Sequence, residues 1–478
     1  MLKKLWQSAS VMTWTSITVR LAGFAILLPL VLRYFSVEEV TLWLLFSAIT
    51  SFQFLADFGF GQTFSREIAY GFVGRSLVDS HDSSVNQPSA VEEAIAKPNW
   101  GSIQSATIVM LWLYWRLALL AVLLFGILGT WAAIGPIERV THPQLAWIAW
   151  IVVILSTGVS IYGSAYTSFL VGANRIELQK RWEAVVGGIA LLAQATVLIA
   201  GAGLLGLVLV AQLGLIAQVL VNRSLALYVS DGRFGKTAGS NLDKRLLGAM
   251  WPAAWRTAIG SFMSIGISRG MAITMANLLV ASEAATVLLA LRIIQTISQI
   301  SNVPFYVKLP ELNRLRASGQ ISLLAKRSGK FMQTSLFLYG IGVILVDLVA
   351  RQLFAYIGSQ TQFPDHLFWL ILMSAVFVER FGGMHIQLLL TSNTVIAHVA
   401  NGVTGAIWIV GLFVLFPIMG ALALPVSMLI AYAGFFGWYS VAPALRSIPG
   451  VSFWKFEGQV VLIPVILLMA WVIYTTLA

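Results

Sequence analysis

The sequence predicts an all-α polytopic membrane protein: two six-helix bundles related by internal pseudo-symmetry around a central cavity, plus at least one additional C-terminal helix. Three observations support this. The 478 residues are 58% hydrophobic and 10% charged, with a mean hydropathy of +0.85. Apolar segments of about twenty residues, enough to cross the hydrocarbon core as a helix, recur along the whole chain. Features that begin and end several of these segments in the first half reappear in the second.

Six spans are predicted in the first half. Lys3 and Lys4 precede a long apolar run without a small-residue cleavage site, so we interpret it as a retained first helix. Ser36 and Glu39 fit a capping box at the start of the second span. Pro143 opens the fourth span, and a glycine-containing turn precedes the sixth. The predicted spans are 9–34, 40–60, 105–133, 146–171, 184–202 and 205–229.

Seven spans are predicted in the second half, where Pro364 opens a helix as Pro143 does and a turn ending at Gly420 precedes the twelfth span. This resemblance predicts parallel repeats with a site between them. The domains are then an N-terminal bundle at 1–230, a linker at 231–248, a C-terminal bundle at 249–445 and an additional helix at 446–478. The predicted spans are 251–279, 283–308, 331–353, 366–390, 396–416, 421–441 and 458–476.

The chain has a net charge of +11, and most of its lysines and arginines lie in loops between the predicted spans. About twenty of the 30 lysines and arginines fall in one alternate set of loops, which the positive-inside rule places in the cytoplasm. We therefore expect a cytoplasmic N-terminus, insertion in the plasma (inner) membrane and no nucleic-acid partner. The polar loop 71–104 falls on the same side, and its mixed charge predicts partial disorder. The chain has no cysteine, which excludes disulfides and thiolate chemistry.

Six arginines occur inside the predicted spans: Arg20, Arg116, Arg256, Arg269, Arg292 and Arg380. Facing lipid, they would cost on the order of 15–20 kcal/mol together, so we expect them to face protein or water. The carboxylates at comparable depth are few, chiefly Asp57, Asp347 and Glu379. A net positive interior suits an anionic substrate such as a phosphate or a sugar diphosphate.

The eighth span carries a polar stripe at helical spacing, which places its members on one face. We favour a cavity lining, because the arginine needs water or anions; interhelical hydrogen bonding is the alternative. Smaller polar stripes occur on the first, seventh and tenth spans. The stripe of the eighth span consists of Arg292, Gln295, Gln299, Asn302 and Tyr306.

Two sets of carboxylates have competing interpretations. Asp57 could exchange a proton or ion during a transport cycle, or form a structural salt bridge, and Glu379 is a further candidate for coupling or gating. Glu38 and Glu39 could hold the metal and base of a multispanning glycosyltransferase, but the capping box is the favoured interpretation. No Walker motif, HExxH or nucleophile elbow is present, so we expect no enzyme, catalytic residue, metal site or cofactor.

The chain resembles the polysaccharide-transporter branch of the multidrug/oligosaccharidyl-lipid/polysaccharide exporter superfamily, the Wzx-like flippases. The resemblance is diffuse and covers most of the chain as a pattern. That family is built of two six-helix bundles and commonly has twelve or fourteen spans, so thirteen is a departure. The matching segments are 30–39, Leu42-Trp43, 55–61, 66–69, and 309–312 before Ser318-Gly319-Gln320.

The resemblance implies a flippase that moves a lipid-linked, polyprenyl-diphosphate oligosaccharide to the outer leaflet by alternating access. Arg20, Arg269 and Arg292 are the first candidates for its head group; Arg116, Arg256 and Arg380 come second, with Gln295 and Gln299 beside them. The implied partners are that substrate, membrane lipid, and a polymerase or glycosyltransferases of the same pathway. The alternatives are a drug or cation antiporter of the same superfamily and a membrane glycosyltransferase.

Overall fold

The computed structural model describes residues 9–51, 60–72, 74, 98–236, 245, 248, 267–392, 394 and 396–477. These residues are helical with short turns, which confirms the predicted fold class. Nine helical stretches among them are long and apolar enough to cross a membrane. Internal contacts divide the chain into residues 1–269 and 270–478. The predicted linker 231–248 lies partly outside the described residues.

The first unit contains helices α1 to α7. The bounds of α1, α5 and α7 lie within three residues of predicted spans, α6 begins eight residues before its predicted span, and α3 corresponds to none. α4 has a π-helical turn at Phe125–Gly129, where a side chain at Gly129 would collide with the Trp150 ring. α1 packs against α6, and α5 packs against α3, α4 and α7. The helices are α1 (Ala9–Tyr34), α2 (Val37–Thr50), α3 (Phe60–Phe72), α4 (Trp100–Glu138), α5 (Pro143–Gly172), α6 (Ile176–Ile199) and α7 (Gly203–Val229).

Helix α8 (Ile267–Leu278) is followed by the helices of the second unit. α9 packs against α11 and α12, α11 packs against α15, and α12 packs against α14. Gly420, with a φ of 55°, makes the turn between α13 and α14. Residues that have a β-carbon rarely adopt this backbone conformation. These helices are α9 (Ala281–Tyr306), α10 (Leu309–Ala317), α11 (Ile321–Tyr356), α12 (His366–Leu390), α13 (Ala397–Met419), α14 (Ala423–Ala431 and Gly437–Arg446, joined by a π-helical turn) and α15 (Phe453–Leu477).

Two predicted loops are shorter in the structure. The loop predicted at 71–104 is reduced at both ends, because α3 continues to Phe72 and α4 begins at Trp100. Asn99 caps α4, and its backbone N–H donates to the Gly71 carbonyl oxygen at 2.8 Å. Residues 75–97 of this loop lie outside the described residues.

The basic segment 308–330, which connects the predicted spans 283–308 and 331–353, is mostly helical. It forms α10 and the first turns of α11, with a turn at Gly319 between them. The 36 residues of α11 measure about 54 Å, well beyond the thickness of a hydrocarbon core. The charged residues of its first turns are exposed, whereas Leu324 and Ser328 are buried. Helical periodicity therefore continues where hydropathy falls.

Candidate functional site

The polar stripe predicted on the eighth span lies on the less buried side of α9. Arg292, Gln295 and Asn302 are partly exposed, and Gln299 and Tyr306 are exposed. The apolar positions between them, such as Leu291, Ile294 and Ile297, are buried. The helix thus divides into an apolar side that holds the unit together and a polar side open to a ligand or solvent.

Arg292 lies near the middle of this membrane-spanning helix. It is the twelfth of 26 residues in α9, so about 17 Å of helix precede it. A guanidinium at that depth is costly unless water, an anion or protein groups solvate it. Its partial exposure leaves room for a ligand, and its planar fork can donate two parallel hydrogen bonds to phosphate oxygens.

Arg380 is placed very differently. Only 2% of its surface is exposed, and its guanidinium lies between α9, α11 and α12. One terminal nitrogen donates to the Ser298 carbonyl oxygen at 2.6 Å and to its Oγ at 2.8 Å, and the other donates to Ser335 Oγ at 2.9 Å. The guanidinium carbon is 5.2 Å from the centre of the Tyr339 ring. This geometry favours a structural role for Arg380 over direct contact with a substrate.

Glu379 brings a carboxylate to the edge of the α9 polar side. It is partly exposed, and it lies close enough to Tyr306, Tyr339 and Arg380 for their electrostatic interactions to matter. Arg380 hydrogen-bonds to serines rather than to this neighbour, as expected for adjacent residues that point about 100° apart on a helix. This carboxylate of α12 therefore lies near Tyr306, at the end of the α9 polar side that is farther from Arg292 along the helix.

Arg316 joins three helix ends and was not predicted as a site residue. From the end of α10, its Nε donates to Thr391 Oγ1 at 3.1 Å, just beyond α12. Its terminal nitrogens donate to the Ser447 carbonyl oxygen and, at 3.0 Å, to Ser447 Oγ, just beyond α14. A cation at the carboxyl ends of two helices also interacts favourably with their dipoles. Spacing along the chain gives no sign of this contact, because its partners are 75 and 131 residues away.

The other predicted site residues belong to residues 1–269. Arg116 on α4 is exposed, with its guanidinium carbon 3.5 Å from the centre of the Trp112 ring. Arg20 lies on α1 and Arg269 on α8, but their side chains are outside the description. Asp57 and Arg256 fall outside the described residues, so their predicted roles stay predictions.

The capping interpretation of the acidic pair is confirmed. The Glu39 backbone N–H donates to Ser36 Oγ at 3.3 Å, and the Ser36 N–H donates to Glu39 Oε2 at 3.1 Å. The Glu39 carboxylate therefore satisfies a free backbone donor at the start of α2. Within the described parts of the chain, no group of three or more His, Cys, Asp and Glu side chains could hold a metal ion.

The fold is similar to that of several solved transporters, two of which are described as members of the MOP superfamily. No family model and no curated protein matches the sequence. An inward-facing MATE family multidrug-resistance transporter aligns with a TM-score of 0.64 at 10% identity, covering 92% of this chain and 96% of that one. The lipid II flippase MurJ, in an inward closed conformation, aligns with a TM-score of 0.54 at 14% identity, covering 98% and 99%.

A MOP superfamily transporter from Pyrococcus furiosus, described as having a binding pocket of reverse polarity, aligns with a TM-score of 0.54 at 12% identity. That alignment covers 95% of this chain and 98% of the other. All three similar structures are transporters, and their identities are low enough that they establish the fold alone. The chain is thus an integral, multi-pass membrane protein with a transporter fold.

Proposed function

We propose that this protein is a flippase that moves a lipid-linked, polyprenyl-diphosphate oligosaccharide from the cytoplasmic to the outer leaflet by alternating access. The observation that carries the proposal is Arg292, a partly exposed arginine near the middle of a spanning helix, in line with four polar side chains. Such a guanidinium can donate two parallel hydrogen bonds to the oxygens of a diphosphate. MurJ, a lipid II flippase, supports the proposal by showing that this fold can serve a flippase.

In this proposal Arg292 holds the diphosphate, with Arg20 and Arg269 as the other first-choice residues. Gln295 and Gln299 lie one and two turns further along the same side of α9 and can hydrogen-bond sugar hydroxyl groups in either direction. Arg116 and Arg256 remain second-choice contacts. Arg380 supports the site indirectly, because it fixes α9 against α11 and α12.

The cellular setting follows from the same proposal. The protein would reside in the plasma (inner) membrane with its N-terminus in the cytoplasm, as the distribution of lysine and arginine predicts. Its substrate would come from glycosyltransferases and pass to a polymerase of the same surface-polysaccharide pathway. A proton or sodium gradient, or the membrane potential, would supply any energy input, with Asp57 and Glu379 as candidates for coupling.

A drug or cation antiporter is the second candidate, and Glu379 is the observation that favours it. A partly exposed carboxylate near Tyr306 could bind a cation or exchange a proton beside the α9 polar side. The MATE transporters with this fold add weight to this candidate. A glycosyltransferase has less support, because Glu39 is engaged in the capping box.

Transport in vesicles separates the two candidates. The purified protein is reconstituted into liposomes with either a fluorescent polyprenyl-diphosphate N-acetylglucosamine or the cationic dye ethidium. The first is followed by chemical quenching of the outer leaflet, the second by efflux under a proton or sodium gradient. A flippase should equilibrate the diphosphate probe between leaflets and leave ethidium inside. Gradient-driven ethidium efflux without movement of the diphosphate probe would overturn the flippase proposal.

Two variants assign the activity to this site. Arg292→Ala should reduce movement of the diphosphate probe, and Arg314→Ala, which removes an exposed arginine from α10, is the matched control. Glu379→Gln should abolish ethidium efflux if the protein is an antiporter that uses this carboxylate. The same change should leave diphosphate movement largely intact if Glu379 does not take part in flipping.

A further inference from the structure

A buried histidine–glutamate pair connects the last helix to the rest of the second unit. His385 on α12 has no exposed surface, and Glu457 in the first turns of α15 is 6% exposed. Their side chains meet at 2.9 Å between His385 Nε2 and Glu457 Oε1. The proposed transport function does not use this pair, and no composition or spacing argument indicates it.

The hydrogen-bonding partners fix the number of protons that the pair needs. His385 Nδ1 lies 2.8 Å from the Phe381 carbonyl oxygen, which can only accept, so Nδ1 must carry a hydrogen. The Nε2–Oε1 contact then needs one further proton, because a bare Nε2 and a carboxylate oxygen would face each other with lone pairs. That proton lies either on Nε2, giving an imidazolium–carboxylate pair, or on Oε1, giving a neutral pair.

The surroundings make loss of this proton costly. The Phe381 and Phe456 rings lie 4.5 and 6.2 Å from the imidazole, measured between ring centres. Glu457 Oε2 is buried and has no hydrogen-bond partner among the described residues. With the proton the pair is neutral overall; without it, a negative charge remains in a site that cannot solvate it. The contact between α12 and α15 is therefore stable only while the proton is bound.

Other charged groups of the neighbouring helices are turned outward or engaged elsewhere. On α11, which packs against α15, Lys326, Arg327 and Lys330 are exposed, and Gly329 faces Phe456. On α15 itself Lys455 is exposed. Arg380 is held by two serines, and Glu379 lies beside it on α12. On α14, the helix packed against α12, the ionisable side chains are those of Tyr432 and Tyr439, which are partly exposed, and Arg446, which is exposed.

The other end of α15 is held independently. Trp471 Nε1 donates to Asp347 Oδ2 on α11 at 2.9 Å, and Asp347 also lies 3.4 Å from His366 Nδ1. Loss of the His385–Glu457 contact would thus release the beginning of α15 while the Asp347 contact still holds its end. His366 is a second histidine of the same unit, and it provides a control for pH effects that do not involve the buried pair.

We propose that the one proton held between His385 and Glu457 fastens the beginning of α15 to α12, and that this end of the helix is released when the contact loses its proton. Glu457→Gln tests whether the contact depends on a proton that can be removed. A glutamine amide can donate permanently to the His385 Nε2 lone pair, so this variant reproduces the protonated pair at every pH. The inference does not depend on the identity of the transported substrate.

The test uses the absence of native cysteine. Val460 on α15 has no exposed surface, so Val460→Cys introduces one buried thiol as a reporter of helix release. Its labelling rate by a small maleimide is compared between the otherwise native protein and the Glu457→Gln background, from mildly acidic to alkaline pH. The ratio of the two rates cancels the ordinary increase of thiolate with pH. The full-length protein in liposomes is used throughout, and Val460→Cys with His366→Gln is the control.

The labelling rate in the native background, divided by the rate in the Glu457→Gln background, should be close to one while the pair holds its proton. It should rise about tenfold or more when the pair loses the proton as the pH is raised, since a hydrogen bond to a charged group is lost. The labelling rate of the His366→Gln control should match the rate of the native background at each pH. A ratio that does not change with pH would overturn the proposal, whether both proteins are labelled slowly or rapidly. If the labelling rate rises with pH in the Glu457→Gln background but not in the His366→Gln background, the proton belongs to the Asp347 contact instead. That result would also overturn the proposal.

Discussion

Arg380 binds Ser298 twice through a single guanidinium nitrogen, once at the carbonyl oxygen and once at the hydroxyl. Arg292, six residues before that serine on α9, lies on the partly exposed side of the same helix. Two arginines at membrane depth therefore have different relations to the protein. Arg380 is buried among protein groups, whereas Arg292 is partly exposed.

The same conservative substitution should separate these two roles. Arg380→Lys keeps the charge but loses the fork that reaches Ser298 and Ser335 together, which leaves a buried charge incompletely hydrogen-bonded. We expect its free energy of unfolding to fall by about 2–3 kcal/mol, the scale of a hydrogen bond to a charged group. Arg292→Lys should cost clearly less. Thermal unfolding in detergent measures both, and equal losses at the two positions would contradict the distinction.

Arg292 and Arg269 should matter for transport more than for folding. Arg292→Ala and Arg269→Ala are expected to reduce movement of the diphosphate probe while the amount of protein in the membrane stays near normal. Lysine at either position should retain part of the activity, because it supplies charge without bidentate geometry. Full activity of the double alanine variant at normal abundance would exclude these residues as the head-group site.

Arg316 should hold α10 in place at the ends of α12 and α14. Arg316→Gln removes the three hydrogen bonds to Thr391 and Ser447, and we expect a loss of about 1–3 kcal/mol. Hydrogen–deuterium exchange of the α10 backbone should become faster. Arg314→Gln, an exposed arginine on the same short helix, is the matched control. Equal exchange in both variants would show that the contact does not stabilise α10.

The capping box predicts a small and purely structural effect at the start of α2. Ser36→Ala should lower the free energy of unfolding by about 1 kcal/mol, because the Glu39 N–H loses its acceptor. Glu38→Gln with Glu39→Gln should leave transport nearly unchanged, since glutamine also serves in a capping box. Complete loss of function in a stably inserted double variant, with a divalent-metal requirement, would favour a glycosyltransferase instead.

Helix positions were predictable where the signal is local. The first and tenth predicted spans coincide with α1 and α12, and the turn at Gly420 falls before the twelfth. The predicted beginning of α11 was wrong by ten residues, because Lys326, Arg327 and Lys330 lower the hydropathy there without interrupting the helix. Hydropathy measures where a helix can lie in lipid, whereas the helix itself continues wherever backbone hydrogen bonds and a buried side persist.

The sequence by itself determined the helical membrane fold, the capping box and the polar side of α9. These depend on composition, spacing and neighbours within a few residues, since helical hydrogen bonds and caps are local. Only the tertiary structure decided that Arg380 is buried while Arg292 is partly exposed, that Arg316 reaches two distant helix ends, and that His385 meets Glu457. The physical reason is that a polar residue's role depends on which groups solvate it, and those groups come from helices far apart in the chain.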